Sequence, residues 1–315
     1  MSIGAVVVSH NSAEDLPACL GSLLEADGLE QVVVVDNVSQ DGSREIVRGF
    51  DDPRVRLVCE EVNSGFAGGC NRGFREFGDD FEYLAFLNPD VVVSANCLQR
   101  SVESLAADQG LACVAPMLIQ SDGETVDTVG QVLKRGTLEV DDRGYGDLPT
   151  PELKEESDVL AACGALAVFR QKALQSVADD LGPWAQHYFC YWEDLEIGWR
   201  LNNSGWRIRS CPEAVGSHRR GAGAFSGSGP LRWRRPPELE ACILSNRWMT
   251  LIRHLHPLDL LPRLPLLLLW DPGLVVAGAA RRPSLLRHLR RRWPMVMHEW
   301  KQRGQTHRRR LHELP

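Results

Sequence analysis

Short runs of valine, leucine and isoleucine alternate with helical patterns along residues 1–120. Five runs are typical of buried strands: IGAVVVS, QVVVVDN, VRLVCE, YLAFLN and LACVAPML. Between the first two, leucines recur at helical spacing. Near-continuous apolar strands that alternate with helices indicate a mainly parallel central sheet with helices on both faces. The pattern therefore predicts an α/β fold.

Residues 121–230 continue this pattern less regularly. A turn-rich stretch, SDGETVDTVGQVLKRG, precedes a predicted strand, VLAACGALAVFR. A helix is predicted in CYWEDLEIGWRLNNSGWRI, because apolar side chains pair at i,i+4 and Gly205 is a natural helix end. His218 then precedes a loop rich in glycine and serine. We therefore expect one domain over residues 1–230, with halves at 1–120 and 121–230.

Polar and glycine-rich residues follow each of the first four predicted strands. In parallel sheets the carboxyl ends of the strands form the ligand crevice. Any one of these segments is also explained as a turn, since Asp, Asn, Gly and Ser are turn formers. Their recurrence at one edge favours a shared crevice. The four segments are SHNS after strand one, VVDNVSQDGS at strand two, VNSGFAGGCNRGF after strand three and NPD after strand four.

Asp90 is the clearest candidate for a ligand at this edge. Pro89 keeps Asn88 extended, which ends the strand and directs Asp90 outward from a rigid element. A carboxylate and the imidazole of His218, together with phosphate and water oxygens, would suit Mg²⁺ or Mn²⁺. Asp36, at the end of the second strand, could accept hydrogen bonds from a nucleobase or ribose.

Acidic residues open the helix predicted after residue 190. Glu193 or Asp194 could serve as a general base. Alternatively, they complement the helix dipole, and a Glu196–Arg200 pair would add only a few tenths of a kcal/mol. The glycine spacing matches neither a P-loop nor a dinucleotide fingerprint.

Charge divides the chain into two unlike parts. The net charge of −7 over 315 residues combines an acidic segment, 1–230, at −18 with a basic segment, 231–315, at +11. The nine cysteines contain no Cys-x-x-Cys pair, which is typical of buried thiols in a reducing compartment and not of disulfides or a zinc site. The N-terminus lacks the basic and apolar regions of a secretion signal. We therefore expect a cytoplasmic protein.

The basic segment 231–315 mixes arginine, leucine and tryptophan at helical spacing, as in RRPSLLRHLRRRW. This pattern favours amphipathic helices on an anionic membrane surface. Helices packed on the acidic domain, or a dimer contact, are the alternatives. The longest uninterrupted apolar run, 264–270, is too short for the roughly 20 residues of a membrane span. Nucleic acid is not expected as a partner, because the acidic body would oppose it.

Seven stretches together carry a resemblance to a known family. They are VVVSHNS, VVVVDNVSQDGS, NSGFAGGCNRGF, FLNPDVVV, ACGALAVFR, YWEDLEIGWRLNNSGWRI and PEAVGSH, in order over residues 3–220. The chain resembles a family 2 glycosyltransferase of the GT-A fold, in the rhamnosyltransferase-like branch. The resemblance implies a catalytic domain over 1–230, with a nucleotide-binding half at 1–120 and an acceptor half at 121–230, followed by a basic helical extension.

The resemblance also implies a role for particular residues. The nucleotide base and ribose would contact Asp36, with Ser9 and Asn11 lining the same pocket. The metal on the donor diphosphate would be held by Asp90 and His218, and the base would come from the pair Glu193-Asp194, with Asp194 preferred. Asn88 replaces the first aspartate of the family's Asp-x-Asp. The nucleotide and donor-sugar side would be shaped by Asn63, Gly65, Phe66 and Asn71.

The implied activity is an inverting, metal-dependent transfer of a sugar from a nucleotide-diphospho-sugar. Through the resemblance alone, thymidine-diphospho-rhamnose is the favoured donor. A saccharide or lipid-linked acceptor in cell-surface polysaccharide synthesis is expected, with the protein peripheral on the inner face of the cytoplasmic membrane.

Two other classes remain open from the residues. The first is a sugar-nucleotide-binding protein without catalysis, which is disfavoured because Asp90, Asp194 and His218 are all present. The second is a sugar nucleotidyltransferase on a related sheet. That enzyme would need a glycine-rich, arginine-containing phosphate loop after the first strand, where this chain has SHNS.

Overall fold

Eleven strands form the framework of the part of the chain that the structure describes. The computed structural model describes residues 2–220, 235–303 and 308–315. The predicted glycine-serine loop and the boundary at residue 230 fall in 221–234, outside the described residues. The strands are β1 (Ile3–Ser9), β2 (Leu29–Asp36), β3 (Val55–Cys59), β4 (Tyr83–Leu87), β5 (Val91–Val93), β6 (Leu111–Gln120), β7 (Val126–Thr128), β8 (Gln131–Leu133), β9 (Val140–Asp142), β10 (Leu166–Arg170) and β11 (Arg207–His218).

The main sheet has the strand order β3-β2-β1-β4-β10-β6-β11-β5, with β7 paired to β6. Its first four strands are parallel, as the valine-rich runs predict. β10 is antiparallel to both of its neighbours, so the sheet is mixed beyond β4. β8 and β9 form a separate two-stranded sheet.

Helices cover both faces of the main sheet, as expected. One core contains the apolar faces of α1 and α4, and the other contains those of α3, α5 and α6. Alternate valines of β1 point into opposite cores, because successive strand residues face opposite sides. The helices of this part are α1 (Leu16–Leu24), α2 (Ser43–Arg48), α3 (Gly65–Phe77), α4 (Cys97–Ala107), α5 (Gln171–Val177) and α6 (Glu193–Asn203).

The segment Asn88-Pro89-Asp90 joins two buried strands that pair with different neighbours. β4 lies in the middle of the sheet, whereas β5 pairs antiparallel with the end of β11, with Val91 opposite His218. The apolar run therefore resumes after Asp90 because β5 buries Val91 and Val93 against β11. This register brings Asp90 beside His218.

The described part of the basic segment folds into helices, as predicted. They are α7 (Pro237–His254), α8 (Pro257–Leu260), α9 (Leu264–Arg281) and α10 (Ser284–Gln302). α7 packs on α6 around the fully buried carboxylate of Glu196, which accepts hydrogen bonds from Arg200 at 2.9 Å and His254 at 3.0 Å and pairs with Arg253 at 3.3 Å. Burial acts against this charge, but the charges of Arg200 and Arg253 and the hydrogen bond from His254 outweigh it and lower the pKa of Glu196.

α9 and the segment that leads into it expose much of their apolar surface. α8, a short 3₁₀ turn and α9 form one helical stretch, Pro257–Arg281, which by length and composition alone could cross a membrane. The apolar run 264–270 is bounded by Arg263 and Asp271, but the helical stretch continues through both charged residues, so a count of uninterrupted apolar residues underestimates its length. Only 6% of its most apolar 18 residues is buried. Its exposed apolar side chains include Leu258, Leu261, Leu264, Leu266, Leu268, Leu269, Trp270 and Val276.

Candidate active site

A cavity of about 750 Å³ lies where the end of β11, the segment after β4 and the first turn of α6 meet. Its size is typical of sites for small molecules. Six residues that the sequence predicts for the site line this cavity together: Phe66, Asn88, Asp90, Glu193, Asp194 and His218.

A chain of paired charges runs along one wall of the cavity. The Asp90 carboxylate lies 3.3 Å from Nε2 of His218, and Nδ1 of the same ring lies 2.8 Å from the buried carboxylate of Asp127. Arg220 donates to the other oxygen of Asp127 and also to Asp142 at 3.1 Å. Burial acts to lower the pKa of His218, but the hydrogen bonds to Asp127 and Asp90 outweigh it and raise the pKa to about 9.

Asp194 and Glu193 have different surroundings at the start of α6. Oδ2 of Asp194 accepts from Gln131 and from the Gly164 N–H, each at 3.0 Å, and Oδ1 accepts from the Leu195 N–H at 2.8 Å. Burial raises the pKa of Asp194, and these donors partly offset the rise. Charge on Asp194 is therefore supported by three hydrogen bonds.

Glu193 lacks comparable support. Its Oε2 is buried and has no hydrogen-bond partner among the described residues. Burial, followed by the neighbouring charge of Asp194, raises the pKa of Glu193 well above its usual range. Of the two carboxyl groups, Asp194 therefore has the stronger support for its charged form and is the better placed to accept a proton.

The backbone just before this pair is strained. Phe189, Tyr191 and Trp192 have φ of +66°, +66° and +70°, a region that non-glycine residues seldom adopt. A hydrogen bond of 2.8 Å from the Cys190 N–H to the Tyr188 carbonyl closes a γ-turn around Phe189. Such backbone costs about 1–3 kcal/mol per residue and persists only where its surroundings hold it.

Gly65 fits closely against this strained segment. Its φ is +71°, and a Cβ at this position would lie 2.2 Å from the carbonyl oxygen of Phe189. The Phe189 carbonyl also accepts from the Ala67 N–H at 3.1 Å. The start of α3 and the strained loop therefore fit together only with glycine at position 65.

The residues predicted for the nucleotide base lie outside the lining of this cavity. Ser9 and Asp36 are opposite each other at the ends of β1 and β2, and both are buried. Asp36 pairs with Arg44 at 2.6 Å through one oxygen. The other oxygen of Asp36 and the hydroxyl of Ser9 have no hydrogen-bond partner among the described residues. Asn11, with φ of +52°, joins the loops after these strands through Ser39.

Two of the predicted donor-side residues serve local structure. Asn63 accepts from the Gly65 N–H at 2.9 Å. Asn71 is fully buried, and its amide exchanges two hydrogen bonds of 2.8 Å with the backbone of Trp184. Asn71 would therefore affect a bound ligand only indirectly, by holding the segments that its hydrogen bonds join.

Several residues that line the cavity or support its wall were not predicted from the sequence. Asp127 lies in VDTV, where the alternation of a short buried strand was a usable signal within a stretch interpreted as a turn. Arg220 follows His218 directly. Gln131 gave no comparable signal. A whole wall comes from the start of α7, formed by Arg235, Pro236, Leu239 and Ile243.

Comparison with known proteins decides the family. The model of the family described as Glycosyl transferase family 2 matches residues 5–177, more than half of the chain. The chain belongs to glycosyl transferase family 2. The family predicted from the motifs is thereby confirmed.

Curated relatives of this family 2 chain are distant. It is 24% identical over 213 residues to the low-salt glycan biosynthesis hexosyltransferase Agl10 of Haloferax volcanii, covering 66% of this chain and 64% of that protein. It is 25% identical over 236 residues to an N-acetylglucosaminyl-diphospho-decaprenol L-rhamnosyltransferase of Mycobacterium tuberculosis, covering 68% and 74%. The chain thus spans about two thirds of the length of the first of these. At such identities the rhamnosyltransferase-like branch stays a prediction.

Solved structures confirm the GT-A fold. The mannosyltransferase PcManGT from Pyrobaculum calidifontis, in complex with GDP-Man and Mn²⁺, has a TM-score of 0.56 at 19% identity, covering 96% of this chain and 85% of that one. GalNAc-T7 with UDP, GalNAc and Mn²⁺ has a TM-score of 0.61 at 15% identity, covering 82% and 48%.

Proposed function

We propose that this family 2 chain is an inverting, metal-dependent glycosyltransferase that moves a sugar from a nucleotide-diphospho-sugar to an acceptor hydroxyl. The observation that carries the proposal is the meeting of Asp90, His218 and Asp194 on one cavity. A carboxylate–imidazole pair on one wall and a proton acceptor on a helix are what such a displacement requires.

Asp90 and His218 fit a divalent metal ion. Asp127 accepts a hydrogen bond from Nδ1 of His218, which leaves Nε2 directed at Asp90 and able to act as a ligand once a metal ion displaces its proton. Among the residues that the structure describes, no three His, Cys, Asp or Glu side chains form a metal cluster. The protein would therefore supply two ligands, with diphosphate and water oxygens completing the shell. Mg²⁺ or Mn²⁺ bound there would neutralise charge on the departing nucleoside diphosphate.

Asp194 would act as the general base. It takes the proton of the acceptor hydroxyl as that oxygen forms its bond to the anomeric carbon. The bond from this carbon to the diphosphate oxygen breaks in the same step, so that one displacement inverts the anomeric configuration. Hydrogen bonds from Gln131 and Gly164 fix one oxygen of Asp194 and orient the other.

The nucleotide would extend from the cavity toward the ends of β1 and β2. The unpartnered polar atoms of Ser9 and Asp36 are suited to a nucleobase or ribose, since buried polar groups are normally hydrogen-bonded. Thymidine-diphospho-rhamnose is the favoured donor. Its support is the resemblance, together with a relative that is a rhamnosyltransferase by name.

A panel of nucleotide-sugars with Mg²⁺ or Mn²⁺ tests this function. We expect one donor, with thymidine-diphospho-rhamnose first in order, to raise the melting temperature only when the metal is present and to be consumed when an acceptor is added. Thermal shift and product analysis by mass spectrometry are the measurements. Donor binding without turnover on any acceptor would contradict an enzymatic function and favour a sugar-nucleotide-binding protein without catalysis.

The acceptor would be a saccharide or a lipid-linked sugar in cell-surface polysaccharide synthesis. Two relatives carry such acceptors in their names, an N-acetylglucosaminyl-diphospho-decaprenol and an α-D-GlcNAc-diphosphoundecaprenol. A lipid-linked acceptor requires an enzyme at the membrane. The exposed apolar side chains of α9 and α10, next to exposed arginines such as Arg287 and Arg290, support this location.

An orientation in the plane of the interface suits the helical stretch Pro257–Arg281 better than a span. Its Asp259 is bound by Arg310 at 2.9 Å, and its Asp271 is bound by Arg247 at 3.3 Å and by Trp248 at 3.1 Å. These two anchors are about 18 Å apart along the helix. A span would have to break both, whereas lipid can cover the exposed leucines while both remain intact.

Leu269 provides the test of membrane binding. We expect full-length protein to float with anionic vesicles, and Leu269→Glu to weaken partition about tenfold or more because a leucine side chain leaves the lipid. Leu148→Glu is the matched control, since Leu148 is 62% exposed on the catalytic body and Leu269 is 77% exposed. Separation of wild-type protein from the vesicles, or equal flotation of both variants, would contradict membrane attachment through α9.

A further inference from the structure

The strained loop that precedes Asp194 is held from behind by the C-terminal helices. Asn246 of α7 is fully buried, and its amide nitrogen lies 2.9 Å from the Tyr188 carbonyl, 2.9 Å from that of Cys190 and 2.6 Å from that of Tyr191. One side-chain amide, with two N–H donors, therefore lies within hydrogen-bond distance of three backbone carbonyls of a single loop.

A second side chain completes this arrangement from α10. Arg292 donates to Oδ1 of Asn246 at 2.6 Å, which fixes the orientation of the amide and directs its nitrogen at the loop. The same guanidinium reaches the His187 carbonyl at 3.1 Å and the Tyr188 carbonyl at 3.4 Å. Asn246 and Arg292 are far from the loop in sequence, so their bonds fold the C-terminal helices onto residues 187–191.

These contacts explain how the positive φ values are maintained. A γ-turn at Phe189 and left-handed backbone at Tyr191 and Trp192 are unfavourable by themselves and need a partner that over-determines them. The carbonyls that Asn246 binds are those of the residue before Phe189, the residue after it and Tyr191. The bonds thus span the strained segment and lead directly into α6.

We propose that Asn246 and Arg292 are positioning residues for catalysis. They hold the loop so that α6 begins at Glu193 and directs Asp194 into the cavity. Neither side chain lines the cavity, so both act through the backbone of residues 188–192. The C-terminal helices thus complete the active site as well as facing the membrane. This inference rests on the proposed role of Asp194 as the base.

Asn246→Ala is the variant that tests the inference. We expect kcat for transfer to fall about 10- to 100-fold, since a displacement near 1 Å of a catalytic group costs this much. The dissociation constant of the nucleoside diphosphate should stay within about twofold, because donor contacts lie elsewhere. Peptides covering 187–195 should exchange backbone hydrogens faster, as expected of a locally opened segment. Steady-state kinetics, calorimetry and exchange mass spectrometry on the full chain give the three readouts.

Asn203→Ala is the matched control. Asn203 is another buried asparagine that joins α6 to the C-terminal region, through His254 and the backbone of Arg309, but it touches no loop carbonyl. Its replacement should lower the melting temperature comparably and leave kcat of the folded protein near wild type. If Asn203→Ala lost as much kcat as Asn246→Ala, the effect of Asn246 would be one of general stability, and the inference would be overturned.

Further variants keep the test decisive if Asn246→Ala folds poorly. Asn246→Asp keeps the volume but loses the paired donors, and it should show the same kcat loss. Arg292→Lys should retain more kcat than Arg292→Met, because an ammonium can still donate to Asn246. Wild-type kcat in Asn246→Asp, with Asp194→Asn inactive, would overturn the positioning role of Asn246 and Arg292 and leave the proposed function standing. Full activity of Asp194→Asn would instead overturn the proposed function.

Discussion

Asp194→Asn should reduce transfer to the acceptor by about 10² to 10⁴-fold, the range that a general base contributes. The substitution preserves the shape of the side chain but removes the lone pair and charge that accept the hydroxyl proton. Donor affinity should change little, because the contacts of Asp194 are with Gln131, Gly164 and Leu195. Single-turnover transfer and thermal shift with the donor measure the two effects separately.

Glu193→Gln is the comparison that assigns the base. Burial and the neighbouring charge of Asp194 raise the pKa of Glu193 and favour its neutral form, so an amide of the same size should cost much less activity than Asp194→Asn. A larger loss in Glu193→Gln than in Asp194→Asn would exchange the two roles. Wild-type rates in both variants would show that neither Glu193 nor Asp194 takes part in the reaction.

Asp90→Ala should lower transfer by about 10² to 10³-fold or more, because stabilisation of charge on the leaving group is lost. Binding of Mn²⁺ in the presence of nucleoside diphosphate should weaken in parallel, since one of the two protein ligands is gone. Electron paramagnetic resonance of free Mn²⁺ during titration measures this binding independently of turnover.

Asp80→Ala is the control for this prediction. Asp80 is an exposed carboxylate that does not line the cavity, and its replacement should alter neither Mn²⁺ binding nor rate. Wild-type Mn²⁺ affinity in Asp90→Ala, or full activity of that variant after chelation of the metal, would remove Asp90 from the metal site.

The sequence pattern could predict which residues meet at the candidate site where strand ends and local motifs define their positions. Asp90 and His218 could be placed at one crevice because each follows a buried run that the residue pattern reveals. The direction of β10 could not be predicted, since a short apolar strand has the same pattern in either orientation. The antiparallel insertion of β10 between β4 and β6 therefore appears only in the structure.

The cavity wall contributed by the C-terminal helices also could not be predicted from the pattern of apolar and polar residues. Leu239 and Ile243 have the spacing of any core helix, and nothing in the sequence indicates that they face the cavity. The buried contacts of Asn246 likewise depend on tertiary packing between segments more than 50 residues apart. The composition of 231–315 suggested a membrane surface, but not that α7 would also border the active site.

A crystal structure with Mn²⁺ and a nucleoside diphosphate is the most direct test of the central claim, that one cavity joins a metal site to a proton acceptor. Anomalous scattering should place the ion between a carboxylate oxygen of Asp90 and Nε2 of His218. The diphosphate should lie in the cavity, with Asp194 on the open side of the cavity. Mn²⁺ bound away from Asp90, or a nucleotide in a pocket that excludes Asp194, would contradict the account.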